Sequence, residues 1–271
     1  MPISLSVTAF LFMNGEIDHL KDGKHHRFKL FACEILFREI SSIVAVAKNR
    51  IDVEFLPKGL HDIGRHGMRN RLSEKIDTVD EAEYDAILLG YALCSGGIVG
   101  LSAKTIPIVV PRAHDCITLF LGHRQRYHDY FFANSGTYFK TTGWIERGTG
   151  LGQGVPDNVA EKLGLGMSFQ KMAERYGEDN ACYLRDQLSQ MRFYTKLAFI
   201  ETGVEPDDFF EQHTIELAKE RQWEFEKLQG DLTLLRRLLN GTWDDEDFLI
   251  VPPGCQIEFS YDDNIIQLKK T

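Results

Sequence analysis

Ala86-Ile-Leu-Leu-Gly90-Tyr-Ala-Leu-Cys94-Ser-Gly96-Gly97 is the stretch on which the reading of this chain turns. A run from Ala86 to Gly90 without a polar side chain predicts a strand buried on both faces, and the cysteine and glycines beyond it predict a loop. Two other stretches share this design. Phe28-Lys-Leu-Phe-Ala32 runs into Cys33, and Ile106-Pro-Ile-Val-Val110 runs into Pro111-Arg-Ala-His114-Asp115-Cys116. Pro107 cannot donate to a ladder, so it is expected at the first residue of its strand or facing a gap.

Helix-like runs separate these strands. Glu34 to Lys48 repeats Ile35, Leu36, Ile40, Ile43 and Val44 on one face, and Gly67 to Lys75 reads as a polar helix. Ile51 to Leu56 is a short strand leading into Pro57-Lys-Gly-Leu-His61-Asp62. Helical crossovers between buried strands imply a parallel sheet with right-handed connections. From about Asp157 the pattern changes. Asn158 to Leu165, Met167 to Tyr176, Asn180 to Thr202, Pro206 to Leu228 and Asp231 to Leu239 favour helix. Phe248 to Val251 is one more apolar run, closed by Pro252-Pro253-Gly254-Cys255. The expected fold class is α/β, a Rossmann-like three-layer core on a parallel sheet with a helical C-terminal excursion that returns to the sheet. Its expected divisions are an α/β core with a cysteine-rich site over 1–150, a helical subdomain over 151–245 and a returning strand region over 246–271.

A length of 271 residues is ample for a sizeable core. The net charge of −9 argues against phosphate-backbone binding, so no nucleic-acid partner is expected. Arg65, Arg69 and Arg71 form a small basic cluster that reads as a solvated helix face. Met1 to Met13 is apolar but lacks a basic leader and is too short to span a bilayer, so a buried first strand is expected and no membrane partner. Five sparsely spaced cysteines fit reduced thiols in a cytoplasm.

In an open α/β sheet, ligands bind outside the carboxyl ends of the strands. Cys33, Cys94 and Cys116 each sit at such an end, and His114 stands two residues from Cys116. These four are the expected metal ligands. Zinc takes histidine nitrogen and cysteine sulfur with an open position in catalytic sites, whereas cysteines alone suit an iron–sulfur cluster with one iron free for substrate. The bland reading, that each cysteine is a small buried hydrophobe, suits a lone cysteine better than three at equivalent junctions. Gly96 and Gly97 are expected to let the backbone approach a cofactor or to form a tight turn. His61 and Asp115 are candidates for proton handling, Asp115 also being a natural N-cap for a helix from Ile117. Gly136-Thr-Tyr138-Phe-Lys-Thr-Thr-Gly143-Trp144 reads as a strand or a pocket mouth, with Tyr138 as a catalytic candidate and Trp144 as a cofactor contact. Cys182 is expected in a helix core, and Cys255 remains a spare ligand.

Phe31-Ala-Cys33-Glu-Ile-Leu, Leu89-Gly-Tyr-Ala-Leu-Cys94, Pro111-Arg-Ala-His-Asp-Cys116-Ile-Thr-Leu-Phe-Leu-Gly122 and Gly136-Thr-Tyr138…Gly143-Trp144 together resemble one family, domain of unknown function number 1638. The resemblance is close over residues 28 to 150 and loose beyond. It implies an association with anaerobic, corrinoid-linked methyl transfer, with a corrinoid protein or methyltransferase as partner and a small-molecule substrate. The placement of one cysteine per sheet unit also resembles quinolinate synthase and the diphthamide-forming enzymes. His114 and Cys116 are similar to the His-x-Cys pair of zinc methyltransferases related to uroporphyrinogen decarboxylase. That pattern has a later cysteine, which would be Cys255, or the order departs from it because Cys94 comes first. The expected function is therefore a zinc or [4Fe–4S] thiolate protein, an enzyme of one-carbon metabolism. A metal-delivery accessory protein and a cluster-dependent lyase or dehydratase are the alternatives.

Overall fold

The computed structural model describes residues 25–61, 63–147, 173–174, 177–178, 180–181 and 194–271. Its strands are β1 (Arg27–Cys33), β2 (Arg50–Leu56), β3 (Ala86–Gly90), β4 (Ile108–Pro111), β5 (Thr137–Lys140), β6 (Lys196–Glu201), β7 (Glu224–Gln229), β8 (Phe248–Val251), β9 (Cys255–Phe259) and β10 (Ile266–Lys270). Its helices are α1 (Phe37–Val44), α2 (Gly64–Asp77), α3 (Cys116–Leu121), α4 (Arg124–Ala133), α5 (Thr142–Glu146), α6 (Phe209–Arg221) and α7 (Thr233–Asn240). The predicted strand Ser4 to Phe12, the helix Asn158 to Leu165, most of Met167 to Tyr176, Asp62 and Cys182 lie outside the described residues. No described helix is long and apolar enough to cross a membrane.

The main sheet has the order β2-β1-β3-β4-β8, parallel except for β8, which lies antiparallel to β4. Every residue of β3 is buried, as its unbroken apolar run requires of a central strand. Pro107 precedes the first residue of β4 and uses its carbonyl to accept from Ile87 N–H. The missing proline donor therefore costs the ladder nothing. Helix α1 buries Ile40 and Ile43, and α7 buries Leu234, Leu235, Leu238 and Leu239 against α1 and the sheet. The fold is thus α/β on a parallel-dominated, Rossmann-like sheet, and the chain returns to that sheet through β8.

Two predicted helices turn out differently. Within Asn180 to Thr202, residues 196–201 form β6, where Leu197, Ala198, Phe199 and Ile200 are all buried. Such a bare run suits a doubly covered strand, and helical periodicity was extended across it. Within Pro206 to Leu228, α6 ends at Gln222 in the left-handed region (φ 56°), and β7 follows. The stretch 151–245 therefore supplies two strands as well as helices. With β5 they make a second parallel sheet, in the order β5-β6-β7.

The carboxyl ends of the two parallel sheets face each other. Gly143, just after β5, lies so close to the start of α1 that a β-carbon there would stand 1.7 Å from the Ile35 carbonyl oxygen. Asp231, after β7, donates its N–H to the Phe120 carbonyl of α3 (2.8 Å). Thr202, after β6, donates its hydroxyl to Glu39 of α1 (2.9 Å) and is within 3.2 Å of Glu205. Glu39 is fully buried, and burial pushes its carboxyl up from 4.5 to about 7.

Two outcomes follow from this seam. Gly143→Ala should lower stability by about 3 kcal/mol in chemical denaturation, because backbone rather than a flexible side chain blocks the new methyl. Glu39 is protonated in both folded and unfolded states at low pH, so its ionisation should erode stability as pH rises from about 4.5 to about 7. Glu39→Gln should flatten that decline and leave the variant more stable than the parent above pH 7, by up to about 3 kcal/mol.

Candidate functional site

Strand order dictates where the site lies. The chain passes from β1 to β2 on one side and then to β3 on the other, so the topological switch point falls between the carboxyl ends of β1 and β3. Cys33 is the last residue of β1, and Tyr91-Ala-Leu-Cys94 leaves β3 from the paired position, since Ala32 stands opposite Gly90. The β4 exit is stitched to the same place. Leu93 N–H donates to the Ala113 carbonyl (2.8 Å) and Cys94 N–H to the His114 carbonyl (3.0 Å). Cys116 then opens α3.

The fold therefore brings together the three cysteines that the sequence singled out. Cys33 and Cys116 are buried and Cys94 is half-buried; all three are free thiols. Burial pushes the Cys33 thiol up to about 11 and the Cys94 thiol up to about 12, and lifts Cys116 well above its ordinary range. The sulfurs also sense one another: negative charge on Cys33 disfavours ionisation of Cys94, and charge on either disfavours that of Cys116. Cys94 holds a left-handed backbone at φ 48°, uncommon for a residue with a side chain. Among the described residues, no set of three or more His, Cys, Asp and Glu side chains is arranged as a ready-made metal site.

Around the thiols stand polar groups, of which the sequence singled out Asp115 and Trp144 but not Tyr91, Glu34, Lys58 or Tyr127. Tyr91 is buried with its hydroxyl unpartnered, and its neighbours are Cys33, Cys94 and Glu34. Glu34 accepts the Lys58 backbone N–H (2.8 Å), and the Lys58 ammonium lies 4.2 Å over the Trp144 ring. The Trp144 indole N–H is buried without closing a hydrogen bond, yet it is near enough to Cys116 to favour the thiolate. Asp115 caps α3 by accepting Ile117 N–H (3.0 Å) and also accepts the Tyr127 hydroxyl (2.8 Å). It is both cap and site residue. Burial raises its carboxyl and, with the Asp115 charge beside it, raises the Tyr127 phenol.

The remaining candidates lie elsewhere or act otherwise. His114 is exposed, and the group that feels its charge is the neighbouring Asp115. His61 ends a short turn after β2 and is partly buried. Gly96 and Gly97 are packing sites: a β-carbon would meet the Phe259 ring at 2.6 Å and the Met68 sulfur at 2.2 Å, respectively. Tyr138 sets its ring edge-on to Tyr194, while Phe139, its neighbour on β5, turns to Tyr127 and Tyr130 of α4. Cys255 follows β8, whose antiparallel course pairs Val251 with Ile108 at the start of β4. That leaves Cys255 at the opposite edge of the sheet from the three thiols.

A family model described as Protein of unknown function (DUF1638) matches the chain over residues 55–239. No curated protein matches, and no solved structure matches.

The elevated thiols make a direct expectation for chemical labelling. In the metal-free protein at pH 7, Cys33 and Cys116 should react with a maleimide far more slowly than the more exposed Cys255; Cys94, its thiol pushed up to about 12 by burial, should also lag, its rate still rising towards pH 12. Mass spectrometry of timed digests gives the order.

Proposed function

The chain belongs to the DUF1638 family, and from the geometry of its thiols we propose that it is a metal–thiolate protein, with Cys33, Cys94 and Cys116 as ligands to one centre that keeps a coordination position open. One observation carries this reading: the exits of three adjacent strands bring two buried cysteines and one half-buried cysteine to the switch point of the sheet, near enough to sense one another's charge. Thiols so placed are poor anions on their own. A bound cation offsets both desolvation and mutual repulsion, which is what makes such a triad useful. The sulfurs would turn toward the ion as they lose their protons.

The donor set favours soft metals. With His114 exposed, the ligands are all sulfur, which fits an iron–sulfur cluster held by three cysteines better than a His-x-Cys zinc pair. When bound, such a cluster would supply a Lewis-acidic iron to a substrate oxygen. The chain's own residues would do the rest: Asp115, held by Tyr127, keeps a proton carrier beside Cys116, and the facing edge of the second sheet excludes water. A zinc centre with three cysteines and one open position is the second reading, and the open position is what would admit a thiol for alkyl transfer. In that setting the protein is an enzyme of methyl-transfer metabolism, or delivers metal to a corrinoid methyltransferase partner.

Anaerobic reconstitution with iron and sulfide, and separately with zinc, tests the reading. About four irons and four sulfides per chain are expected for the cluster, or about one zinc without sulfide. Cys33→Ser, Cys94→Ser and Cys116→Ser should each lose the metal, and Cys255→Ser should keep it. Uptake should strengthen with pH, because binding must expel thiol protons. Failure of the parent protein to bind either metal, or full retention by Cys94→Ser, overturns the proposal.

A further inference from the structure

Tyr91 and Trp144 share an oddity that packing does not explain. Tyr91 is buried and Trp144 partly buried, the polar atom of each is shielded from solvent, and neither closes a hydrogen bond among the described residues. Buried tyrosine and tryptophan ordinarily satisfy that group, and at 91 a phenylalanine would fill the space without the loss. Their surroundings coincide. The charges that bear on the Tyr91 phenol are Cys33, Cys94 and Glu34, and the carboxylate of Glu34 already accepts from Lys58. The Trp144 N–H is the one neighbour that favours a thiolate at Cys116. A protonated thiol is a weak acceptor, whereas a thiolate, free or metal-bound, is a strong one.

We infer that the Tyr91 hydroxyl and the Trp144 indole N–H are outer donors to the cysteine sulfurs, Tyr91 serving Cys33 and Cys94 and Trp144 serving Cys116. Both are positioning residues: they remain unsatisfied while the thiols hold their protons and become satisfied when the sulfurs ionise around a metal. This rests on the metal–thiolate reading above and adds to it the groups that tune the sulfurs. Each element contributes one donor: Tyr91 comes from the exit of β3, and Trp144 from α5 on the opposing sheet, held by the Thr141 cap (3.3 Å). The second sheet therefore contributes Trp144 to the centre.

Cobalt(II) is the probe, because thiolate-to-cobalt charge-transfer absorption reports the sulfurs directly. Tyr91→Phe and Trp144→Phe should each weaken cobalt binding by about tenfold and move that band to lower energy. The metal-free Tyr91→Phe protein should melt no lower than the parent, since an unsatisfied buried hydroxyl has been removed. A merely structural tyrosine would give the reverse pattern, with a lower melting point and an unmoved band. If the parent binds cobalt and both variants match it in affinity and band, the donor assignment is wrong. If the parent binds no cobalt, the metal–thiolate reading itself fails. Tyr91→Phe alone decides the case if Trp144→Phe disturbs the Lys58 stack, because it deletes one oxygen and no packing.

Discussion

Negative charge is expensive where the two sheets face each other, and that constraint organises the molecule. Three thiols, the carboxyl of Asp115 and the carboxyl of Glu39 are all held above their ordinary pKa values by burial. The nearest positive relief is modest. Lys58 lowers Cys33, and Arg38, which lowers Glu39, is itself engaged with Glu146. On the metal–thiolate proposal the seam would take in positive charge, with the three sulfurs as its softest donors. A region that resists ionisation in isolation ionises readily once a cation arrives, because the same low dielectric that penalises a lone thiolate strengthens its bond to a metal.

The second sheet gives the site its other wall. Its strand exits touch the segments that follow β1 and β4: Gly143 at Ile35, Thr202 at Glu39 in the first turn of α1, and Asp231 at Phe120 near the end of α3. These segments follow Cys33 and carry Cys116, so the position of those sulfurs depends on the fit between the sheets. The placement obeys the rule for open α/β sheets, with the crevice outside the carboxyl ends at a switch point. Here two sheets bring carboxyl ends to one seam.

Local patterns made part of this legible. The bare runs ending in Cys33, Cys94 and Cys116 announce strands and their exits, and parallel pairing then forces those exits to one edge. The return of the chain through Phe248 to Val251 follows from the same reasoning. What could not be read depends on distance along the chain. Asp115 and Tyr127 meet because α3 ends at Gly122 and α4 folds back, and no spacing rule marks that pair. Tyr91 stands at the exit of β3, but only the folded chain shows that its hydroxyl closes no hydrogen bond among the described residues. β6 was hidden by helix-forming neighbours on both sides, and the direction of β8, which sends Cys255 to the far edge, has no local signature.

Cys94 carries the strongest internal argument that the sulfurs matter as sulfurs. It adopts the left-handed region, which costs an ordinary L-residue about 1 kcal/mol and glycine almost nothing. Glycines occupy 96 and 97 on the same turn, where Phe259 and Met68 leave no space for a β-carbon. Glycine at 94 would relieve the backbone, and alanine would serve as well as cysteine if only a small apolar filler were needed. The chain instead keeps a half-buried thiol on strained backbone, hydrogen-bonded through its own N–H to the loop that carries Cys116. Strain retained against an easier alternative is the mark of a position selected for its chemistry. What that position supplies is a sulfur at the switch point of the sheet.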